Sequence, residues 1–166
     1  MTGRTERAGS AGIGVDVDGF GVDVAQRLRE RPLPAGVEVG DFGIRGMDLA
    51  YALLEEYDAL IMLDAASRGE APGTLYLIEV PVDRPGAAAI DTHGMDPVKV
   101  LNLARELGAR PIPTFVVACE PNVLASGEEG EMVIGLSETV AAAVGEAVVM
   151  VESLVDKISS VSRVSP

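Results

Sequence analysis

The run Ala59-Leu60-Ile61-Met62-Leu63 is apolar at every position, and no other stretch constrains the fold as tightly. A strand with one face in water alternates apolar and polar residues, whereas a strand covered on both faces reads as a continuous apolar run. Ala59 to Leu63 therefore predicts a central strand with helices on either face of its sheet. Three more β-rich runs, residues 37–39, 74–80 and 113–119, alternate with helical patterns, as in βαβ units around a mostly parallel sheet. The run 74–80 follows the turn signal Ala71-Pro72-Gly73 and alternates better, which predicts a hairpin-like or edge strand.

Four helices are expected between and after these runs. The first covers 21–31, with Val22, Ala25 and Leu28 on one face and Pro32 and Pro34 ending it. The second covers 46–56. The third covers 97–107, with Pro97 in its first turn and Gly108 as its C-terminal cap. The fourth covers 137–158, where Val140, Val144, Ala147, Val148, Val151 and Leu154 form a core-facing stripe. A strand is also needed before the first helix, but residues 8–15 include Gly9, Ser10, Gly12 and Gly14, which predicts a weak one. Residues 120–135, with Pro121, Gly127 and Gly130 among acids, read as a mobile surface loop. The expected architecture is a three-layer α/β sandwich, a twisted mostly parallel sheet of about five strands flanked by helices. It forms a single domain over 1–158 with a flexible serine-rich tail at 159–166.

Composition narrows the partners. With 13 Lys and Arg against 26 Asp and Glu, the formal charge of −13 opposes phosphate backbones and anionic lipid, so nucleic acid is not an expected partner. No run reaches the roughly 18 apolar residues that span a bilayer, and no hydrophobic segment of signal-peptide length follows the N-terminus. A cytoplasmic protein without a membrane partner is expected. The single cysteine, Cys119, excludes an intramolecular disulfide and a multi-cysteine metal site, and its place at the end of an apolar run predicts a buried, inert thiol.

In open α/β sheets ligands bind beyond the carboxyl ends of the strands. Asp64 follows the most apolar strand, Asp18 lies between the weak first strand and the first helix, and His93 precedes the third helix. All three can reach one sheet edge. Two carboxylates and an imidazole suit zinc, nickel, manganese or iron with coordination positions left open. Two plainer roles compete: a lone loop histidine is commonly a surface residue, and Asp18 can cap the first helix.

The motifs around these residues add a resemblance. Gly12-Ile13-Gly14, Asp18-Gly19-Phe20-Gly21-Val22, the stretch from Asp41-Phe42-Gly43 through Arg45-Gly46-Met47, Leu63-Asp64-Ala65, Pro72-Gly73-Thr74, Thr92-His93-Gly94 and Gly135-Leu136-Ser137 follow one another in the order seen in hydrogenase maturation proteases. The chain resembles that family over most of its length. The resemblance implies a peptidase that removes the C-terminal extension of a nickel-iron hydrogenase large-subunit precursor once nickel is in place. It implies nickel presented by the substrate, or another divalent metal, as the recognition element. By the same resemblance Asp18, Asp64 and His93 are the metal-recognising and catalytic residues, and Asp41, Gly43 and Met47 contact substrate.

The chain departs from the family at its first strand. Members usually carry a longer glycine-asparagine loop there; this chain lacks the asparagine, and Val17 stands where an acid usually precedes the metal acid. Asp16 and Asp18 are therefore both candidates for that ligand. A non-catalytic homologue that binds the precursor without cutting it is one alternative. A nucleotide-binding module is another, suggested by Gly12-x-Gly14 with Glu38 or Asp41 beyond, although Val17 occupies the third glycine position of that fingerprint.

Overall fold

The apolar run around Ile61 is the middle of the sheet. The computed structural model describes residues 11–15, 19–42, 45–83, 96–122 and 136–162. In chain order these form β1 (Ala11–Val15), α1 (Gly19–Arg29), β2 (Val37–Val39), α2 (Gly46–Ala52), β3 (Ala59–Ala65), β4 (Leu75–Val80), α3 (Pro97–Glu106), β5 (Thr114–Cys119) and α4 (Glu138–Ser162). The described strands make one five-stranded sheet in the order β2-β1-β3-β5-β4. All neighbours are parallel except β4, which lies antiparallel on β5 at the edge. The edge position predicted for 74–80 is thus observed, and so is the sheet of about five strands.

Every residue of β3 is buried, and its alternation divides the interior in two. Ile61 and Leu63 join Val117 and Cys119 of β5 in a core closed by Phe20, Val24 and Leu28 of α1 and Val144, Val148 and Val151 of α4. Leu60 and Met62 join Val116 and Ala118 in a second core, closed by Leu49 of α2 and Val100 and Leu101 of α3. Three layers result, with α1 and α4 on one face and α2 and α3 on the other.

Several boundaries differ from expectation for local reasons. The first helix spans 19–29, not 21–31, and its buried stripe is Phe20, Val24, Ala25 and Leu28, with Val22 turned outward at 36% exposure. Burying the large ring of Phe20 rotates the helix away from the face that Val22 suggests, and Arg31, which precedes Pro32, is disfavoured in helix. The second helix stops at Ala52 rather than 56. Beyond it the Leu54 and Glu55 amides bond three residues back, to Tyr51 and Ala52, which tightens the chain out of the α-helix. Tyr57 then packs against the second core and donates its hydroxyl to Glu38 at 2.7 Å. The fourth helix runs on to Ser162, past the expected end at 158. There the Ser160 hydroxyl bonds the Asp156 carbonyl at 2.7 Å, so a residue with weak helix propensity stays inside it. The third helix agrees closely: Asp96 caps it through the amides of Val98 and Lys99, Pro97 opens it, and Gly108 follows at φ 101°. The predicted weak first strand forms, and it owes its place to parallel ladders with β2 and β3 on both sides.

Candidate active site at the sheet edge

From β1 the chain passes to β2 on one side, while β3 pairs on the other, so the order reverses between β1 and β3. Crevices for ligands open at such reversals, beyond the carboxyl ends of the strands. Val15, the last residue of β1, is level with Leu63. Asp64 is the next residue on β3, within the strand rather than after it, and level with Ala118 of β5. It is 2% exposed, and its Oδ1 accepts the amide N–H of Ala65 at 2.7 Å. A carboxylate this deep in an apolar layer loses its hydration and is retained only where it has partners. Strand alternation assigns it to the face of Leu60 and Met62, below α2 and α3.

Asp41 lies two residues past β2, whose Val39 is level with Ile13 of β1 and, through it, with Ile61. It thus leaves its strand at the same edge as Asp64, and it is exposed. Met47 sits in the first turn of α2 with its side chain 58% exposed, beside an Arg45–Asp48 ion pair of 3.3 Å. Asp16, Asp18, Gly43 and His93 lie outside the described residues, so the expected trio of Asp18, Asp64 and His93 is represented by Asp64 alone. Among the described residues no three His, Cys, Asp or Glu side chains come together as a metal site.

The edge holds a second buried acid that the sequence reading missed. Glu120 was expected in a mobile loop; instead it is 5% exposed, directly after β5. Its carboxylate accepts the amides of Arg68 at 2.8 Å and Gly69 at 3.3 Å, and the Tyr76 hydroxyl at 2.5 Å. Its own amide donates to the Thr74 carbonyl at 2.8 Å, and its carbonyl accepts from Gly73 at 2.9 Å. The Arg68 guanidinium lies 5.5 Å from the centre of the Tyr76 ring. The Tyr76 hydrogen bond, joined by the amides of Arg68, Gly69 and Glu70, outweighs burial and lowers the Glu120 pKa. Burial first, then the hydrogen bond to Glu120 and the negative charges of Glu120 and Glu70, push Tyr76 up to about 12, against the opposing charge of Arg68. The available signal was the position of Glu120 immediately after an apolar strand, where a carboxylate must be either solvated or fully hydrogen-bonded.

Cys119 is fully buried, as expected, with its Sγ 3.7 Å from the Glu120 carbonyl. No helix of the described residues is long and apolar enough to cross a membrane.

Comparisons with known proteins agree with this architecture. The hydrogenase expression/formation protein HupD of Rhodobacter capsulatus is 35% identical over 108 residues, covering 63% of this chain and 50% of the relative. HupM of Azotobacter chroococcum is 36% identical over 128 residues, covering 73% of this chain and 60% of the relative. The chain thus spans about half the length of the curated relatives it matches. Among solved structures, the hydrogenase maturating endopeptidase HybD of E. coli superimposes with a TM-score of 0.68 at 27% identity, covering 90% of this chain and 93% of that one. The model of the hydrogenase maturation protease family matches residues 22–154, and the chain belongs to that family.

Proposed function

We propose that this protein is an endopeptidase that removes the C-terminal extension of a nickel-iron hydrogenase large-subunit precursor after nickel insertion, with the bound nickel as its recognition element. The observation that carries the reading is Asp64, a carboxylate 2% exposed at the point where strand order reverses, on the edge where α/β sheets receive ligands. Membership of the maturation protease family supports it.

In this reading Asp64, with Asp18 or Asp16 and with His93, completes the coordination of the nickel that the precursor already holds. Oxygen and imidazole donors fit nickel, and equally zinc or another divalent metal. Gripping the metal sets the adjoining extension across the sheet edge, so that cleavage waits for metal loading. Positioning of this kind is a large part of catalysis, because a held substrate no longer has to find its reactive geometry. Hydrolysis then adds water across one peptide bond, the hydroxyl to the carbonyl carbon and the proton to the departing amine. Asp41, Gly43 and Met47 contact the extension, the exposed Met47 side chain offering an adaptable apolar surface. We place this activity in the cytoplasm, a reading supported by the lone cysteine, Cys119, whose thiol stays reduced there.

A processing assay with nickel-loaded and nickel-free precursor, read by the mass of the released peptide, tests this. Only the loaded form is expected to be cut, and Asp64→Asn or His93→Ala should slow cutting on the order of 100-fold. Equal cleavage of both forms, or full activity of either variant, would refute the metal-recognition role. Co-purification with precursor that is never processed would instead indicate a non-catalytic binder.

A further inference from the structure

Glu120 ties together three pieces of chain at the edge that carries Asp64. Its main chain pairs with Gly73 and Thr74 at the start of β4, and its carboxylate holds the amides of Arg68 and Gly69 and the hydroxyl of Tyr76. The connection from β3 to β4, residues 66–74, is therefore fastened down on the end of β5 at both of its halves. Its root is equally close to the acid: the Ala66 amide donates to the Cys119 carbonyl at 3.1 Å, and Ala65 is the register partner of Cys119. The Ala65 amide is the one that Asp64 Oδ1 accepts at 2.7 Å. Any rotation of the 64–65 peptide plane that follows loosening of the connection breaks that bond and reorients the carboxylate.

We propose that Glu120 is a positioning residue for Asp64, fixing through the 66–74 connection the peptide plane that aims the Asp64 carboxylate at the substrate's metal. The inference deepens the function proposed above and rests on it for the role of Asp64. Glu120 is built for the task in three ways. It is 5% exposed, so water does not compete for its oxygens. The Tyr76 hydroxyl and the amides of Arg68, Gly69 and Glu70 converge on it, more donors than a neutral amide could accept in its place. Charge-assisted bonds of this kind are about twice as strong as neutral ones. The charged groups around it are Arg68, stacked on the Tyr76 ring, and Glu70, whose field reaches Tyr76; neither replaces its carboxylate as the acceptor for the two amides.

Glu120→Gln tests the idea, because it keeps the side chain's shape and substitutes an N–H donor where an acceptor is needed. Two readouts are taken on the full chain. With nickel-loaded precursor, KM should rise roughly 10- to 100-fold, the range seen when a partner that orients a metal ligand is lost. kcat per folded molecule should change less than about twofold, because losing grip on the substrate's metal removes binding made equally in ground and transition states; partial unfolding would instead lower the active fraction and leave KM alone. Amide exchange followed by NMR should accelerate at Ala65, Arg68 and Gly69 while Leu60, Ile61 and Leu63 keep their protection. An unchanged KM, or unchanged exchange at Ala65, overturns the proposal. If the native protein cuts no precursor at all, the proposed function falls, and exchange at Ala65 still decides whether Glu120 controls the Asp64 peptide. Should Glu120→Gln not fold, Tyr76→Phe removes one of these donors and is judged by the same two readouts at a smaller amplitude.

Discussion

Gly73 offers a quantitative test of how tightly the connection beside Asp64 is built. The segment from Ala71 to Thr74 is a tight turn, its Thr74 amide returning to the Ala71 carbonyl at 3.1 Å and its Thr74 hydroxyl to the same oxygen at 2.6 Å. Pro72 and Gly73 occupy the corners, and Gly73 has φ 86°, in the region a turn of this kind reserves for glycine. A Cβ at Gly73 would stand 2.7 Å from the backbone oxygen of Thr139 and 3.2 Å from its carbonyl carbon, at the start of α4. A helix backbone cannot step aside as a side-chain tip can. Gly69, four residues earlier, has nearly the same φ of 82° with nothing within 4 Å of its would-be Cβ. Gly69→Ala therefore carries the conformational cost alone, about 1–2 kcal/mol. Gly73→Ala carries that cost plus an overpacking penalty of about 1–3 kcal/mol. Urea denaturation of both variants measures the difference, with equal slopes showing that the unfolded state is unaltered. Two variants within about 0.5 kcal/mol of each other would refute the claim that the turn is pinned against α4, since surface changes fall in that range.

Further outcomes follow from the core and from the Glu120 cluster. Leu63→Ala, at a fully buried β3 position, should cost about 2–5 kcal/mol, whereas Leu54→Ala, 44% exposed, should stay within about 0.5 kcal/mol; calorimetry of both checks the assignment of inside and outside. The lowered Glu120 pKa favours the folded state above the ordinary value of 4.5 and is lost as pH falls through the folded value, so Glu120→Gln should flatten the acid limb of the stability curve. Tyr76, raised to about 12, favours folding fully below pH 10 and loses that contribution as pH climbs towards 12; a late phenolate step absent in Tyr76→Phe is the spectroscopic check. Cys119 should resist alkylation under native conditions and react fully in denaturant, and rapid native labelling would contradict its burial.

The fold was legible where burial repeats along the chain. Ala59 to Leu63 announced a two-sided central strand, and the stripe from Val140 to Leu154 announced the face of α4 that the first core buries. Legibility failed where one contact outweighs periodicity. Phe20 turned α1 away from Val22, whereas the glycine-rich first strand was legible as a weak one and is held by ladders on both sides. Among the candidate residues, Asp64 stood out because an acid at the end of an apolar run is conspicuous. Glu120 stands in the same relation to β5 but precedes a stretch rich in Pro, Gly and Glu, and that composition masked it. Its partners Arg68, Gly69 and Tyr76 are 44 to 52 residues away in sequence, beyond the reach of any local pattern.

The antiparallel placement of β4 also bears on the order in which the protein assembles. β3 and β4 are consecutive in the chain, yet β5 lies between them, so the 66–74 connection must span a slot that stays empty until residues 114–119 are made. β4 pairs only with β5 among the described strands, and Glu120 arrives one residue later still. The parallel trio of β2, β1 and β3 can associate before then, whereas the connection beside Asp64 cannot. The edge that would handle precursor is thus among the last parts to close, and a chain still being synthesised presents Asp64 without its clamp. Pulse-labelled exchange during refolding should show the amides of Ile61 and Leu63 protected before those of Arg68 and Gly69, and the reverse order would exclude this sequence of events.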